Sequence, residues 1–562
     1  MKKLGLLVSL MCAALAMQAA TRSVSEAAAM ASQFIHRQNP VAMAKVASVE
    51  PQLCYTQYML NENAPALYVF NLGDNGFVMI SAEDGIENVV AYSFESSFPT
   101  ADIPSNLQFW MNRYASEIET LRLHPADVTV RQTETFSPIG PLVTCTWSQS
   151  DPYNLKCPLD ANGQRSVTGC VATAASQIMY FHKYPQTGEG EFSYEWTNSV
   201  GVKTTISEDF SLATFDWDNM QDSYYSASAA AKNAVANLMY YAGVAGQMQY
   251  GYDASGTQSE YMLQGFHRNF RYDKSLRVIS LEHYNDTGFI NLIYHELSHN
   301  RPVYMAGSTV EQEGHAFVCD GIDVDGRLRI NWGWGGMSNG YFALRNLDPG
   351  EQGTGGSSSD LAFTEDIEIG IGIRPDEGGD YAPSVNTDKL YLTKTTDISE
   401  PFKMTVGSYL INHGACDVDG YIALVLYKDG KLLRALETLK FKLALMEGTE
   451  NDVEFEHWLD DDKLEDGTYQ VTIAVSNDGK TYFPLHCGDI GIGMCDVTIT
   501  GSRVQMDKIK SAPSYLDLTP QAVPAALGDL QAETQAEKVM IDGKLYIMRN
   551  GNCYDALGRQ LN

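Results

Sequence analysis

The chain has 562 residues, too many for one ordinary hydrophobic core, so about two to four domains are expected. Its 70 acidic residues outnumber its 39 basic residues and give a formal net charge of −31. This charge argues against nucleic acid as a partner, because phosphate recognition needs a basic surface. No stretch after the N-terminus is apolar over the roughly 18 residues that a membrane span requires.

Residues 1–20 have the pattern of a secretory signal peptide. Lys2 and Lys3 precede an apolar run from Leu4 to Leu15, and small residues follow up to Ala20, where cleavage is expected. We therefore expect a bacterial protein that is secreted or associated with the cell surface. Of ten cysteines, nine remain once the signal is removed, and an odd number predicts at least one unpaired thiol.

Residues 21–137 are predicted to form an N-terminal unit. A capping box at Ser23–Glu26 predicts the start of a helix that runs to about Ile35. A hairpin is expected from Ala66 to Ser81, across an Asp-Asn-Gly turn, and a second helix from Trp110 to Leu123. The segment is interpreted as a propeptide, with a plain accessory domain as the alternative.

Residues 138–376 are predicted to contain a helix with a cysteine in its first turn. Gly169 permits a sharp turn, and the alanine-rich stretch after Cys170 favours a helix that ends before Pro185. A thiol at a helix N-terminus faces unpaired N–H groups, which favour the nucleophilic thiolate. The alternative is a buried structural cysteine.

Residues 380–500 alternate between apolar and polar positions, with turn signals at regular spacing. This pattern predicts an antiparallel β-sandwich of the immunoglobulin-like kind. Residues 501–562 are expected to be a linker followed by a C-terminal hairpin or a sorting tail.

Two further motifs could serve a cysteine nucleophile. His315 begins an apolar strand and is a candidate base, and the Asn331 side chain could accept a hydrogen bond from its imidazole while Trp332 shields that bond. Gln149 is the best side-chain candidate to stabilise an oxyanion, together with the Cys170 N–H group.

Four motifs, taken in order, resemble the streptopain family of papain-like cysteine proteases, including the interpain-type proteases of Bacteroidetes. They are Trp147-Ser148-Gln149 with Pro152-Tyr153-Asn154, Thr168-Gly169-Cys170-Val171-Ala172-Thr173-Ala174, Gly314-His315-Ala316-Phe317-Val318, and Asn331-Trp332-Gly333-Trp334-Gly335-Gly336. The spacing of 145 residues from Cys170 to His315 falls in the papain-like range.

The resemblance implies an α+β chain with a papain-like two-lobed protease domain at 138–376, an α+β propeptide and a C-terminal β-sandwich. It further implies a zymogen with Cys170 as nucleophile, His315 as general base and acid, and Gln149 as oxyanion donor. Asn331 and Trp332 are supporting candidates. The expected activity is that of a cysteine endopeptidase that needs no metal or cofactor and prefers an apolar residue two positions before the cut.

The expected partners are protein or peptide substrates, including host proteins, and the chain's own propeptide as inhibitor. Two alternatives remain open. The segment His295-Glu296-Leu297-Ser298-His299 matches the zinc metalloprotease pattern, although its histidines are predicted to point away from the apolar face of the helix. The protease fold could also serve as a non-catalytic adhesin or inhibitor.

Overall fold

The protein is described from a computed structural model, in which two compact units, residues 1–133 and 134–562, are treated separately. The predicted signal peptide, half of the predicted helix at 110–123 and much of the linker and tail lie outside the described residues, and the described positions of that helix, from 111 to 119, are helical. The described residues are 21–37, 49–83 except 75, 88–94, 97–100, several positions from 103 to 119, 136–512 except 350–351, 355, 357–360, 379–382, 408, 447 and 450–451, and short strands between 521 and 561.

Among its described residues, the first unit combines helix α1 (Val24–Arg37), further helical positions between 108 and 119, and a four-stranded antiparallel sheet. Ser23 and Glu26 form the predicted capping box: the Ser23 N–H donates to the Glu26 carboxylate at 2.7 Å, and the Glu26 N–H donates to the Ser23 hydroxyl at 3.3 Å. The strands pair in chain order. The elements are α1 (Val24–Arg37), β1 (Gln52–Tyr58), β2 (Pro65–Asn71), β3 (Phe77–Ser81) and β4 (Val89–Ser93).

The described part of residues 136–376 contains four α-helices and a six-stranded antiparallel sheet, in the order β11-β10-β9-β8-β12-β7, together with a separate hairpin, β5-β6. The helices are α2 (Cys170–His182), α3 (Ala229–Ala245), α4 (Ser259–Phe270) and α5 (Asp286–Ser298). The strands are β5 (Glu191–Thr197), β6 (Lys203–Asp209), β7 (Arg277–Ser280), β8 (Val303–Ser308), β9 (Gly314–Ile322), β10 (Leu328–Asn331), β11 (Gly340–Phe342) and β12 (Glu365–Ile371).

Strand β9 is buried on both faces, and its side chains point alternately into two layers of the core. Ala316 and Val318 pack with residues of α2, α3 and α4. Phe317 and Cys319 point the other way and pack with residues of α5 and with Trp332. The sheet therefore holds the start of α2 on one side and the aromatic cluster around Trp332 on the other.

Two antiparallel sheets follow, and their facing side chains share one core. One sheet has the order β24-β23-β20-β17-β18 and the other the order β14-β15-β19. Three short strands form a separate sheet with the order β16-β13-β22. The strands are β13 (Val385–Thr387), β14 (Leu390–Thr393), β15 (Phe402–Val406), β16 (Ile411–Asn412), β17 (Val418–Lys428), β18 (Lys431–Leu443), β19 (Val453–His457), β20 (Gly467–Ser476), β21 (Thr481–Pro484), β22 (His486–Cys487), β23 (Gly493–Thr500), β24 (Arg503–Met506) and β25 (Lys510–Ser511).

The last described segments are also strands. They are β26 (Gln521–Ala522), β27 (Ala536–Ile541), β28 (Lys544–Arg549), β29 (Asn552–Asp555) and β30 (Gln560–Leu561). The mixed α+β class expected from the sequence is confirmed, whereas the division into domains stays a prediction. Within the described residues, no helix has both the length and the apolar character needed to cross a bilayer.

Candidate active site

Helix α2 begins at Cys170 because Gly169 turns the chain in a conformation that other residues rarely adopt. Gly169 has φ +87° and ψ 144°, and a Cβ atom built on it would lie 2.7 Å from Met248 and 2.9 Å from the Ser255 carbonyl oxygen. No side chain caps this helix start, so its first N–H groups remain available beside the Cys170 sulfur.

Cys170 is a partly exposed residue, and its thiol is covered where it lies against the beginning of β9. Burial raises the pKa of the thiol above its ordinary value, and hydrogen bonds from the backbone of Ala316, Val171 and Cys170 itself oppose this rise. The backbone donors at the helix start lower the pKa of the thiol, as the sequence predicts, but desolvation outweighs them. Since Ala316 follows His315 directly, the structure brings the predicted nucleophile to the strand that carries the predicted base.

His315 is the second residue of β9, and the residue is 2% exposed. Its Nε2 atom lies 2.9 Å from the Trp332 carbonyl oxygen. A carbonyl oxygen can only accept, so Nε2 carries the proton and Nδ1 is the basic nitrogen of the neutral ring. The indole of Trp334 stacks on the imidazole, with ring centroids 4.6 Å apart and an interplanar angle of 21°.

Asn331 does not play the part expected from the sequence. Its amide donates to the Cys145 carbonyl at 2.9 Å, and its side-chain oxygen accepts from the Gly333 N–H at 3.2 Å. The Trp332 backbone, rather than the Asn331 side chain, holds the proton on His315 Nε2. Trp332 is fully buried and packs 6.2 Å from His315 between ring centroids, so it lies beside the imidazole as expected.

Gln149 is tied to the loop that precedes the helix. Its backbone carbonyl accepts from the Thr168 N–H at 3.1 Å, which places it near the turn into α2. Its side-chain amide is buried and donates from Nε2 to the Thr354 carbonyl at 2.6 Å. A second contact joins the Ser150 and Thr354 hydroxyl oxygens at 3.2 Å.

Sequence reasoning missed Trp334 and Thr354 as neighbours of the site. Trp334 alternates with Trp332 in the Asn-Trp-Gly-Trp motif, and this repetition was a signal for a second ring near the base. Thr354 lies in a glycine-rich segment that predicts a flexible loop and carries no chemical signature of its own.

The zinc motif spans the last turn of α5 and the capping residue His299, and the side chains of Glu296 and His299 are engaged in other hydrogen bonds and an ion pair. Glu296 is buried and pairs with Arg301, with nitrogen–oxygen distances of 2.6 and 2.8 Å, and it also accepts from the Gly372 N–H. His299 Nδ1 donates to the His295 carbonyl at 2.8 Å. Among the residues that the structure describes, no three His, Cys, Asp or Glu side chains form a group able to hold a metal ion.

Two family models match the chain. The peptidase C10 family matches residues 147–342, which include Gln149, Cys170 and His315. The Spi protease inhibitor family matches residues 19–118.

Curated relatives and solved structures are similar to overlapping parts of the chain. The thiol protease/hemagglutinin PrtT of Porphyromonas gingivalis is 33% identical over 66% of this chain, which spans only 44% of that protein. Active interpain A of Prevotella intermedia is 33% identical over 43% of this chain and 96% of its own, with a TM-score of 0.39. A prointerpain A fragment from the same organism is 28% identical over 58% of this chain and 100% of its own, with a TM-score of 0.44.

Streptopain of Streptococcus pyogenes is 30% identical over 323 residues, which make up 54% of this chain and 80% of streptopain. This coverage confirms the resemblance indicated by the four motifs. The chain belongs to the peptidase C10 family of cysteine-type peptidases, the family of streptopain.

Proposed function

We propose that the chain is a secreted or surface-associated cysteine endopeptidase made as a zymogen, with Cys170 as nucleophile and His315 as base. The observation that carries the proposal is the contact of the Cys170 sulfur with the backbone of Ala316, next to an imidazole whose Nε2 proton is fixed. A nucleophile beside a base that is itself oriented by a third group is the arrangement that acyl transfer requires.

The reaction follows from the two nitrogen atoms of His315. Nδ1 takes the proton of the Cys170 thiol, which compensates for the raised pKa because the sulfur becomes charged only as the imidazolium forms. The thiolate attacks the peptide carbonyl, and the imidazolium then protonates the leaving amine. Water, with His315 again acting as base, hydrolyses the thioester and restores the thiol.

Three groups are proposed to stabilise the charges that form during the reaction. The Cys170 N–H at the uncapped start of α2 and the Gln149 side-chain amide are the donors proposed for the oxyanion. The stacked face of Trp334 stabilises the imidazolium through its π electrons and excludes water from the bond between Nε2 and the Trp332 carbonyl.

Residues 21–137 are proposed to be the inhibitory propeptide, and the match of residues 19–118 to a protease inhibitor family supports this role. Residues 138–376 are proposed to be a papain-like two-lobed domain, and residues 380–500 an immunoglobulin-like sandwich. The proposed substrates are proteins, including host proteins, with an apolar residue two positions before the cut.

The experiment is incubation of the purified precursor, followed by N-terminal sequencing of its fragments, for the wild type and for Cys170→Ala. The wild type should release residues up to about 137 and hydrolyse casein, whereas Cys170→Ala should remain intact and inactive with an unchanged circular dichroism spectrum. Cys416→Ala is the matched control, because Cys416 is also a partly exposed cysteine, and it should process normally. Processing and hydrolysis by Cys170→Ala would refute the mechanism.

A further inference from the structure

The edge of the six-stranded sheet is covered by a loop from the C-terminal sheets, by which we mean the strands β13 to β24. Strand β7 is the last strand of the six-stranded sheet. The Val278 N–H on β7 donates to the His413 carbonyl at 3.1 Å, and Arg277 pairs with Gly414 in an antiparallel bridge. Ala415 is buried in the same core as Val278. Main-chain hydrogen bonds to an edge strand thus join the two parts of the chain.

A second contact between these parts is a buried chain of hydrogen bonds through two histidines. His283 lies just after β7, and its Nδ1 atom is 2.5 Å from the Gly488 carbonyl oxygen. Its Nε2 atom is 2.9 Å from Asn386 Nδ2, and Asn386 Oδ1 is 3.0 Å from His486 Nδ1. All three side chains in this hydrogen-bond chain are buried.

The partners determine where the protons lie. A carbonyl oxygen only accepts, so His283 Nδ1 carries a proton and donates it to Gly488. The neutral ring then leaves Nε2 as the acceptor for the Asn386 NH2 group, and the Asn386 oxygen accepts from the Nδ1–H group of His486. Each contact therefore joins one donor to one acceptor, and this match requires a neutral His283.

A proton on His283 Nε2 would break the match. The charged ring would place an N–H group against the Asn386 NH2 group, so that two donors would face each other. Turning the amide over would bring its oxygen to His283 but would set its NH2 group against the His486 N–H. Because a buried donor without an acceptor is costly, the contact between the two parts weakens.

The surroundings of His283 favour the neutral ring. Burial, the largest cause, and the neighbouring His486 lower its pKa to about 4. His413 also lowers the pKa, whereas the hydrogen bond at Nδ1 and the Asp388 carboxylate raise it. From the same turn, the Glu282 carboxylate lies 3.5 Å from Nε2, but its side chain is 73% exposed, so water and salt screen its charge.

A cavity of about 410 Å³ at the same interface gives water a route to the hydrogen-bond chain. Its wall includes Val278 and Glu282 on one side, and Asn386 and His413 from the C-terminal sheets on the other. Because Asn386 contacts both the cavity and His283, a proton can reach the ring while the rest of the chain stays folded.

We propose that the hydrogen-bond chain of His283, Asn386 and His486 is an acid-sensitive latch: the C-terminal sheets are docked on β7 at neutral pH and are released from it when His283 is protonated. The inference is independent of the proposed function, because none of these residues belongs to the proposed catalytic machinery. The competing arrangement survives protonation, with Asn386 turned over and the His486 proton moved from Nδ1 to Nε2.

Hydrogen exchange at the Val278 amide measures the docking, since this N–H is held by the His413 carbonyl. The parent protein is the full chain with Cys170→Ala, so that proteolysis does not interfere, and protection is expressed relative to the intrinsic exchange rate at each pH. Protection of Val278 should fall roughly 100-fold from pH 6.5 to pH 4, as a pKa lowered from 6.5 to about 4 requires. The amides of β9, inside the six-stranded sheet, should stay protected.

His283→Gln removes the titrating ring, and His413→Gln is its matched control at the same interface. His413 pairs with the Glu260 carboxylate at 3.1 Å and holds Val278 only through its backbone carbonyl. Protection of Val278 should lose most of its pH dependence in His283→Gln and keep it in His413→Gln. The opposite pattern would overturn the proposal.

Gly491→Ala releases the sheets without changing a titratable group. Gly491 has φ +63°, and a Cβ atom built on it would lie 2.5 Å from the His283 carbonyl oxygen. Protection of Val278 should already be low at neutral pH in this variant. Gly501→Ala, at φ +59° with no atom within 4 Å of the added Cβ, is the matched control and should behave as the parent.

The titration of the parent chain decides the question even if a variant fails to fold. Val278 protection that falls with acid while β9 stays protected supports the latch. Unchanged Val278 protection would overturn the proposal in favour of a hydrogen-bond chain that rearranges and holds. A parallel loss of protection in β9 would also overturn it, because the whole chain would then be unfolding.

Discussion

Replacing Gly169 with alanine should disturb the nucleophile more than any other single added methyl group near it. The backbone at φ +87° and ψ 144° belongs to a region open essentially to glycine, which costs about 1–3 kcal/mol for other residues. The new Cβ would also lie 2.9 Å from the Ser255 carbonyl oxygen. Ser255 is held in place because its hydroxyl donates a 2.7 Å hydrogen bond to the Val167 carbonyl. Together, strain and overpacking should lower the free energy of unfolding by about 2–5 kcal/mol.

Gly163→Ala is the matched control. Gly163 also has a positive φ, +76°, but no atom lies within 4 Å of a Cβ built on it, so only backbone strain of about 1–2 kcal/mol is expected. Urea denaturation measures both variants, and the rate of Cys170 alkylation by iodoacetamide measures the position of the sulfur. Gly169→Ala should also lower hydrolysis about 100-fold, because a shift near 1 Å disrupts reacting geometry. Equal stability and equal alkylation rates in the two variants would refute the argument that this turn positions the thiol.

Three further predictions concern a buried ion pair, a buried histidine and the removal of metal ions. Arg329→Met should lower the free energy of unfolding by about 3–5 kcal/mol, because it removes the 2.9 Å ion-pair partner of the fully buried Asp320 carboxylate. Urea denaturation measures this change, and an unchanged free energy of unfolding would contradict the prediction. Burial lowers the pKa of His283 to about 4, so the unfolded chain binds a proton before the folded chain does. The free energy of unfolding should therefore fall by about 3 kcal/mol as the pH drops from about 6.5 to 4. Urea titrations of His283→Gln should show a smaller fall, and a fall equal to that of the wild type would contradict this. EDTA should leave peptide hydrolysis unchanged; loss of activity on chelation would revive the zinc hypothesis for His295 and His299.

Local patterns predicted the elements that carry the site. The capping box at Ser23 and Glu26 marks the start of α1 to within one residue, and the small residues after Cys170 predict α2, which begins at that cysteine. The apolar run after His315 predicts a strand that proves to be buried on both faces. These features depend on neighbours in sequence, so they can be read before the fold is known.

The contacts that decide the chemistry could not be predicted in the same way. The proton on His315 is fixed by the Trp332 carbonyl, and the Gln149 amide is held by the Thr354 carbonyl. Every residue has a backbone carbonyl, so such partners leave no signature in the sequence. The raised pKa of Cys170 also depends on how many distant groups cover the sulfur, whereas the helix start is visible locally.

The central claim is that Cys170 is the nucleophile and that His315 is its base. The most direct measurement treats the self-processed full chain with an irreversible peptidyl electrophile and maps the modified residue by peptide mass spectrometry, in the wild type and in His315→Gln. The account predicts one modification, at Cys170, with complete loss of hydrolysis in the wild type and much slower modification in His315→Gln. Modification of a different cysteine, or equally fast modification in both proteins, would contradict it.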